Sequence, residues 1–402
     1  MTTTAFEPGA CPKDMIPLCV PCLEGKAWDY IRECLESNWV SSAGPFVERF
    51  EKMVADFLGV RYAVATSSGT AALHIALLVA GIAPDDEVLV STLTFIASGN
   101  AIRYVGAWPV FIDAEPYYWQ MDPEQVAHFL ERECQWRNGV LYNRKTGRRV
   151  RAIMPVHILG HPVHLEPILQ LARKYNLLVI EDAAEALGAF YQGKPVGSWG
   201  DVACLSFNGN KIITCGGGGM IVTNRAEWAS YARYLTTQAK DDPLEYIHHQ
   251  IGYNYRLTNL QAALGCAQME KLEEFISRKR IIAGNYHAHL ADLAGIRLPA
   301  EAPWARSTYW LYTILISNSR TYGTSRKILH TLREWGIQCR PLWQPLHRSP
   351  AYSQLPPRAC PVADRLYSQA LSLPSSVSLT CEQQNIVIRK LKTCVQQVLA
   401  AA

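Results

Sequence analysis

The sequence lacks the features of membrane, secreted and nucleic-acid-binding proteins. No stretch of its 402 residues approaches the roughly eighteen consecutive apolar residues that a membrane-spanning helix requires. The amino-terminal segment has neither the basic start nor the apolar core of a secretory signal peptide. The net charge is only +4 and no basic run stands out, which argues against nucleic acid or a membrane surface as the main partner. We therefore expect a cytoplasmic protein.

A cysteine-based metal site is also lacking. The twelve cysteines are scattered among core-like segments, as expected of reduced thiols inside a cell. Cys11, Cys19 and Cys22 lie close together near the amino terminus, but no second pair or matching histidine nearby would complete a zinc site. Packing therefore explains these cysteines better than metal or redox chemistry does.

The composition indicates a globular protein with more than one core. Apolar residues make up 49% of the chain and charged residues 18%, which is ordinary for a folded protein. Because 402 residues exceed what one hydrophobic core usually carries, we expect two domains. A change of pattern near residue 270 predicts a large domain over residues 1–270 and a small one over residues 271–402.

The larger segment alternates short β-branched runs with helical patterns such as Ala71–Ala80 and His164–Tyr175. This alternation is typical of βαβ units and predicts an α/β fold with a parallel sheet. The predicted strands are Tyr62–Ala65, Glu87–Val90, Trp108–Ile112, Arg151–Pro155, Leu177–Ile180, Val202–Leu205 and Met220–Val222.

The remainder of the chain predicts a smaller α+β domain. A long charged helix over Gln268–Leu290 leads into an apolar run at Tyr309–Ile316. Further helices are predicted at Ser325–Trp335 and from Glu382 onward.

Polar or aromatic side chains follow five of the predicted strands. They are Ser67 to Thr70, Thr94 with Phe95, His157, Asp182, and Ser206 to Lys211. In open parallel sheets, ligands bind at the carboxyl ends of the strands. We therefore expect these residues to form one shared site.

Asp182 ends an apolar strand in the run VIEDAAEALGA. A carboxylate buried there needs a cationic partner, and the protonated pyridine nitrogen of pyridoxal phosphate (PLP) would suit. Asp is also a common helix cap. This residue alone does not decide between the two interpretations.

Lys211 follows a strand and precedes four glycines, Gly216 to Gly219. A lysine that attacks carbonyl groups must be available as a neutral amine, and it could then carry protons as general base and acid. Taken in isolation, a surface lysine in a glycine-rich turn explains the residue better. No phosphate-loop pattern is present, so a tight hairpin into the next strand is expected.

The run AVATSSGTAALHIAL predicts a strand, a small polar turn and a helix. Backbone amides of Gly69 and Thr70 at the helix start could bind a phosphate, with the Thr70 and Ser206 hydroxyls as further donors. A simple capping turn would explain the same residues. Phe95 could stack on a pyridine ring, or it could be a core aromatic.

Three histidines, His157, His161 and His164, have a spacing that suggests a metal site. Gly160 and Pro162 interrupt any helix between them, so the spacing does not place them on one face. We expect a strand-end loop that lines the cofactor site, and no metal ion.

Several long motifs together resemble the DegT/StrS family of fold-type I aminotransferases. They are SSGTAALHIALL, EDAAEALGAFYQGKPVGSWGD, LSFNGNKIITCGGGGMIVT, IGYNYRLTNLQAALGCAQMEKL and GIQCRPLWQPLHRSPAY. The resemblance runs from about Ile16 to the carboxyl-terminal helix. It implies a large domain with a mostly parallel seven-stranded sheet, a smaller α+β domain, PLP as cofactor and a keto sugar linked to a nucleotide as substrate.

The resemblance also implies roles for individual residues. Lys211 matches the lysine that holds PLP, Asp182 the partner of the pyridine nitrogen, and Phe95 the residue that stacks on the ring. Gly69, Thr70 and Ser206 match phosphate contacts. Asn254, in GYNYR, matches a residue that reaches the phosphate from the neighbouring subunit, which implies a homodimer with shared active sites. Glu185 stands beside the ring, where many relatives carry Gln or His.

Three runs resemble one branch of the family more narrowly: NWVSSAGPFVERFE, LYNRKTGRRVRAIMPVHILGHP and YLTTQAKDD. That branch aminates C4 of UDP- or GDP-linked 4-keto-6-deoxy-N-acetylhexosamines on the way to sugars such as legionaminic acid. His164 departs from the Asp that relatives often have, and the Cys19/Cys22 pair is not part of the pattern.

The expected reaction moves an amino group from glutamate to C4 of such a sugar. One alternative is an aminotransferase for a C3-keto, aldehyde or free sugar. Another is a sugar dehydratase, but relatives with that activity carry a histidine in place of the lysine, so Lys211 argues against it. A third is a non-catalytic regulator. Trp310, Arg340, Trp343 and His347 are candidates for the substrate pocket, which the sequence does not separate from the core.

Overall fold

The computed structural model describes residues 15–242, 244–317 and 323–400, and its strands form one large sheet and several small ones. Cys11 lies outside these residues. The strands are β1 Tyr62–Thr66, β2 Glu87–Ser91, β3 Trp108–Ile112, β4 Cys134–Arg137, β5 Val140–Asn143, β6 Val150–Met154, β7 Leu178–Asp182, β8 Phe190–Tyr191, β9 Lys194–Pro195, β10 Val202–Ser206, β11 Gly219–Thr223, β12 Ile296–Arg297, β13 Ala305–Arg306, β14 Tyr312–Ile316 and β15 Ala370–Leu373.

The large sheet contains seven strands in the order β1-β11-β10-β7-β6-β2-β3. Every one of them overlaps a strand predicted from the sequence, and no bound differs by more than two residues. The pairs from β10 to β3 are parallel, whereas β11 runs antiparallel to both of its neighbours. The sheet is therefore mixed but mostly parallel.

Twelve α-helices accompany these strands in the described part of the chain. They are α1 Ala27–Glu36, α2 Pro45–Leu58, α3 Gly69–Val79, α4 Ala97–Tyr104, α5 Pro123–His128, α6 Leu165–Lys174, α7 Ala226–Thr236, α8 Asn259–Met269, α9 Leu272–Leu290, α10 Gly323–Glu334, α11 Pro361–Gln369 and α12 Cys381–Ala400. The single long helix predicted over Gln268–Leu290 is wrong at its start, because α8 ends at Met269 and α9 begins at Leu272.

Hydrophobic residues fill both faces of the large sheet. All five residues of β2 are buried, as expected for a parallel strand with helices on both faces. Because side chains alternate along a strand, Leu89 packs in one core while Val88 and Val90 pack in the other. The sheet is thus a buried layer between two hydrophobic cores.

A third core lies around the three-stranded sheet β12-β14-β15, with α9, α10 and α12 packed near it. Tyr286 and Tyr312 stack there with ring centroids 4.8 Å apart. Ile16 joins the same core, so the amino-terminal segment packs against residues from the other end of the chain. The division at residue 270 stays a prediction.

The connection from β10 to β11 is longer than the tight hairpin expected from the four glycines. The strands pair antiparallel, with Ser206 opposite Gly219, so residues 207–218 form the connection. Lys211 lies within it.

A search of the described helices for one with the length and hydropathy of a membrane span finds none.

Candidate active site

The carboxyl ends of the central strands surround a cavity of about 360 Å³. Its walls bring together residues from α3, the segment after β2, the end of β7 and the connection after β10. Seven of the eight predicted site residues line it: Gly69, Thr70, Phe95, Asp182, Glu185, Ser206 and Lys211. The eighth, Asn254, is exposed and is not among the lining residues of its own chain.

Lys211 projects into this cavity from a turn in which its backbone N–H donates to the Asn208 carbonyl over 3.0 Å. Its side chain is 14% exposed. The amine Nζ lies 3.8 Å from Glu185 Oε1 and 4.1 Å from the centroid of the Trp310 ring. The amine is thus nearly enclosed, with a carboxylate and an aromatic face as neighbours.

Asp182 ends β7 and is buried, as the sequence predicted. Ser98 Oγ donates to Asp182 Oδ2 over 2.7 Å, and the backbone N–H of Ala184 donates to Oδ1 over 3.1 Å. Burial raises the pKa of this carboxyl above its ordinary value, an effect that these two donors and the Lys211 charge oppose. A carboxylate accepts up to about four hydrogen bonds, so capacity for a cationic N–H donor remains.

Glu185 faces the same cavity and is 7% exposed. Its Oε2 accepts a hydrogen bond from the backbone N–H of Leu159 over 2.9 Å. Burial raises the pKa of Glu185 to about 7, although the nearby Lys211 charge and the Leu159 N–H lower it. This carboxyl therefore exchanges its proton near neutral pH.

The start of α3 and the end of β10 approach each other closely. Ser68 caps α3 by accepting from the Ala71 N–H over 3.0 Å, and the first-turn amides of a helix have no acceptor within that helix. A Cβ built on Gly69 would lie 2.8 Å from the Ser206 Cβ, so only glycine fits there. Backbone amides and two hydroxyls thus converge, as an anion such as a phosphate requires.

The histidine segment does not line this cavity, contrary to our expectation. His157 is fully buried and its Nε2 pairs with Glu181 Oε2 at 3.1 Å. His161 Nε2 accepts from the Ala302 N–H, and the His164 ring stacks on Trp304 with centroids 4.3 Å apart. Each histidine therefore has a structural role. Among the described residues, no three His, Cys, Asp or Glu side chains group as metal ligands.

The substrate-pocket candidates separate into two groups. Trp310 and Trp343 line the cavity, whereas Arg340 and His347 are not among its lining residues. His347 instead lies against Thr92 and Asp364. Sequence reasoning missed Ser98, whose position three residues after Phe95 in STLTFIASGN is the one signal that could have indicated it.

The comparisons with known proteins agree with this site. Residues 21–392 match the model of the DegT/DnrJ/EryC1/StrS aminotransferase family. A GDP-perosamine synthase of Escherichia coli O157:H7 is 41% identical over 92% of this chain and 95% of its own length. A GDP-perosamine synthase of Caulobacter vibrioides is 40% identical over 91% and 94%. The structure of the aminotransferase TlmJ from Streptoalloteichus hindustanus superposes with a TM-score of 0.87 at 27% identity, covering 96% of this chain and all of that one.

These relatives correct one expectation. The legionaminic-acid branch that three sequence runs suggested is not the one to which the two curated relatives belong, since both are named GDP-perosamine synthase. Three short runs carry less information about the substrate than identity over nine-tenths of the chain does.

The cavity also fits the cofactor of this family, PLP. The cavity holds the Lys211 amine, the buried Asp182 carboxylate and an anion cradle, which is formed by the start of α3 with the Thr70 and Ser206 hydroxyls. A pyridine aldehyde bearing a phosphate requires these three groups. The fold-type I architecture expected from the resemblance is confirmed by the superposition. This chain belongs to the DegT/DnrJ/EryC1/StrS family of PLP-dependent sugar aminotransferases.

Proposed function

We propose that this enzyme transfers an amino group from glutamate to C4 of a GDP-linked 4-keto-6-deoxy sugar. The observation that carries the reaction is the convergence of Lys211, Asp182 and the anion cradle in one cavity. The two curated relatives support the GDP-linked sugar, because perosamine is a 4-amino-6-deoxy sugar and its keto precursor carries the carbonyl at C4. This substrate replaces the N-acetylated sugar expected from the sequence runs.

Lys211 holds the cofactor and carries the proton in both halves of the reaction. When bound, PLP withdraws electrons from the substrate carbon that loses its proton. Because the Lys211 amine is nearly enclosed, a proton that it takes up is sheltered from bulk water until it is returned. Glu185, 3.8 Å away, stabilises the amine while it carries that proton.

Asp182 holds the proton on the pyridine nitrogen. Ser98 and the Ala184 N–H fix its two oxygens, so the carboxylate is oriented before the cofactor binds. The charge of a protonated ring nitrogen would lower the pKa of Asp182, which burial otherwise raises. The two groups thus favour each other's charged form.

The phosphate is bound by the start of α3 together with the hydroxyls of Thr70 and Ser206. The positive end of the helix and its first-turn N–H groups attract an anion. Phe95 lines the cavity with 54% of its surface exposed, so its ring is available to stack on the cofactor.

A second copy of the chain completes the site. Asn254 is exposed and outside its own cavity, consistent with a role in a partner's site. The segment before it exposes a group of large apolar residues, which are typical of an interface. Their exposed fractions are Leu244 85%, Tyr246 68%, Ile247 45% and Ile251 85%.

The test is the absorbance spectrum of the purified protein with PLP, before and after excess glutamate. The visible band of bound PLP should disappear with glutamate in the wild type and should be absent from the well-folded variant Lys211→Ala. Product analysis with GDP- and UDP-linked 4-keto-6-deoxy sugars, with and without an N-acetyl group, then identifies the substrate. Turnover of the Lys211→Ala protein at the wild-type rate would contradict the proposal, and no turnover with any of the sugars would favour one of the alternative substrates or a regulatory role.

A further inference from the structure

Trp310 contacts the segment that carries Lys211 in two ways. The face of its ring lies 4.1 Å from Lys211 Nζ. Its indole Nε1–H donates to the backbone carbonyl of Asn210 over 2.6 Å. Since Asn210 immediately precedes Lys211, one side chain holds both the backbone and the amine of this lysine.

Few other contacts hold the connection after β10 at this point: the Cys19 thiol also donates to the Asn210 carbonyl over 3.3 Å, and the Lys211 N–H bonds only within its own turn. The connection spans residues 207–218 and contains Gly209. A Cβ added to Gly209 would have no neighbour within 4 Å, so nothing packs against this position. Asn208 and Asn210 bond to each other through exposed side chains, which anchors neither of them to the core. A hydrogen bond from a nearly buried indole therefore restrains the segment where Lys211 begins.

Trp310 is itself fixed from behind by Lys279. This lysine lies on α9, is 1% exposed and donates from Nζ to the Trp310 carbonyl over 2.7 Å and to the Ser375 carbonyl. Its Nζ also lies 3.9 Å from Cys19 Sγ, and burial lowers its pKa. An ammonium buried in this way is costly, so its two carbonyl acceptors must be held firmly in place.

We propose that Trp310 is a positioning residue for Lys211, with Lys279 fixing Trp310 in turn. This inference rests on the proposed function, because it assigns to Trp310 the placement of the lysine that holds PLP. The indole N–H sets the position of the Asn210–Lys211 peptide, and the ring face gives the amine a fixed neighbour only when the indole itself is held. Small displacements of a reacting group lower rates steeply, so the effect belongs to kcat rather than to KM.

The test compares Trp310→Phe, which keeps an aromatic face and loses the N–H donor, with Trp304→Phe. The Trp304 Nε1 is buried without a hydrogen-bond partner and lies outside the cavity lining, so its loss should leave kcat and the rate of PLP combination unchanged. For Trp310→Phe we expect kcat to fall about tenfold, with KM for the sugar within about twofold of the wild type. The apoprotein should also combine with added PLP about tenfold more slowly, as followed by visible absorbance.

Trp310→Leu removes the ring face as well and should lower both rates about a hundredfold. The melting temperature of each variant shows whether it folds, and Trp310→Phe is the decisive variant if Trp310→Leu does not. Equal kcat and equal PLP combination rates for Trp310→Phe and Trp304→Phe would overturn the inference. That outcome leaves the proposed function intact, whereas an active Lys211→Ala protein would remove the function as well.

Discussion

Glu185 should make the stability of the apoprotein depend on pH. Its pKa is about 7 in the folded protein against an ordinary 4.5, because burial disfavours the charged form. In the unfolded chain the carboxyl is ionised above about 4.5, so the free energy of unfolding falls as the pH rises from about 4.5 to about 7. Glu185→Gln removes this loss, and at pH 8 the variant should be more stable than the wild type by on the order of 3 kcal/mol.

Chemical denaturation of the apoproteins at pH 5 and pH 8 measures this difference. The advantage of Glu185→Gln should be small at pH 5, where the wild-type carboxyl is mostly protonated in the folded protein. Glu382→Gln is the matched control, since Glu382 is exposed and its substitution should leave the pH dependence unchanged. A stability difference for Glu185→Gln that is the same at both pH values would contradict the assignment.

Asp182 should contribute to catalysis more than to cofactor retention. Asp182→Asn keeps an oxygen acceptor for Ser98 or Ala184 but cannot carry the charge that holds a proton on the ring nitrogen. We expect kcat to fall by about 10²-fold or more, the cost typical of removing one preorganised electrostatic contact. Ser98→Ala, which removes one donor to Asp182 and leaves its charge in place, should cost about tenfold. Steady-state kinetics at saturating PLP measure both, and a smaller loss for Asp182→Asn than for Ser98→Ala would disprove the ranking.

At the scale of elements, the packing of β11 against the start of α3 determines the anion cradle. A Cβ on Gly219 would lie 2.4 Å from the Ser68 carbonyl oxygen, which is backbone and cannot rotate away. Gly219→Ala should therefore displace the Ser68–Gly69 peptide, destabilise the protein by roughly 1–3 kcal/mol and weaken PLP binding. Thermal melting and PLP titration measure these two effects.

The matched control for Gly219→Ala is Gly284→Ala, in α9. Gly284 is exposed, and a Cβ there would meet nothing within 4 Å. Alanine in an exposed helix interior should stabilise by roughly 0.5–1 kcal/mol, so the two Gly→Ala changes should have opposite signs. Normal PLP affinity in Gly219→Ala would show that the cradle does not depend on this close approach.

The sequence predicted the strands better than the breaks between helices. The seven strands carry dense β-branched runs flanked by turn residues, so their pattern is local. The break between α8 and α9 occurs at Glu270 and Lys271 without a proline or glycine, and both helices are fixed by the cores they pack against. A tertiary cause of this kind leaves no local signal.

At the scale of the whole molecule, the site residues that follow a local pattern could be predicted from the sequence, and the contacts between distant parts of the chain could not. The placement of Asp182 and Lys211 in one cavity could be predicted because Asp182 ends a strand and Lys211 follows one, each within a long motif. The contacts of Trp310 could not, because the chain separation between Trp310 and Asn210 is 100 residues. The expectation that the histidine segment lines the cavity was wrong for a related reason. The segment does follow a strand, but His157 pairs with Glu181 inside the core.

The proposed sharing of sites between two subunits can be tested by mixing two inactive variants. Asn254→Asp places a negative charge where the partner's phosphate is expected to bind, and Lys211→Ala removes the lysine; each alone should be inactive. In a mixed dimer, one site has Lys211 from one chain and Asn254 from the other. The other site of the mixed dimer has neither, so isolated mixed dimers should restore about half of the wild-type activity, and an unseparated mixture formed by random pairing about a quarter.

Co-expression with two different affinity tags isolates the mixed dimers for this measurement. Each variant purified by itself, carrying both tags on separate copies, is the control. Recovery of activity only in the mixed dimer would mean that Asn254 acts across the interface, because two sites that each depend on a single chain stay defective when paired. If Asn254→Asp is inactive alone and the mixed dimer is inactive as well, Asn254 acts within its own chain.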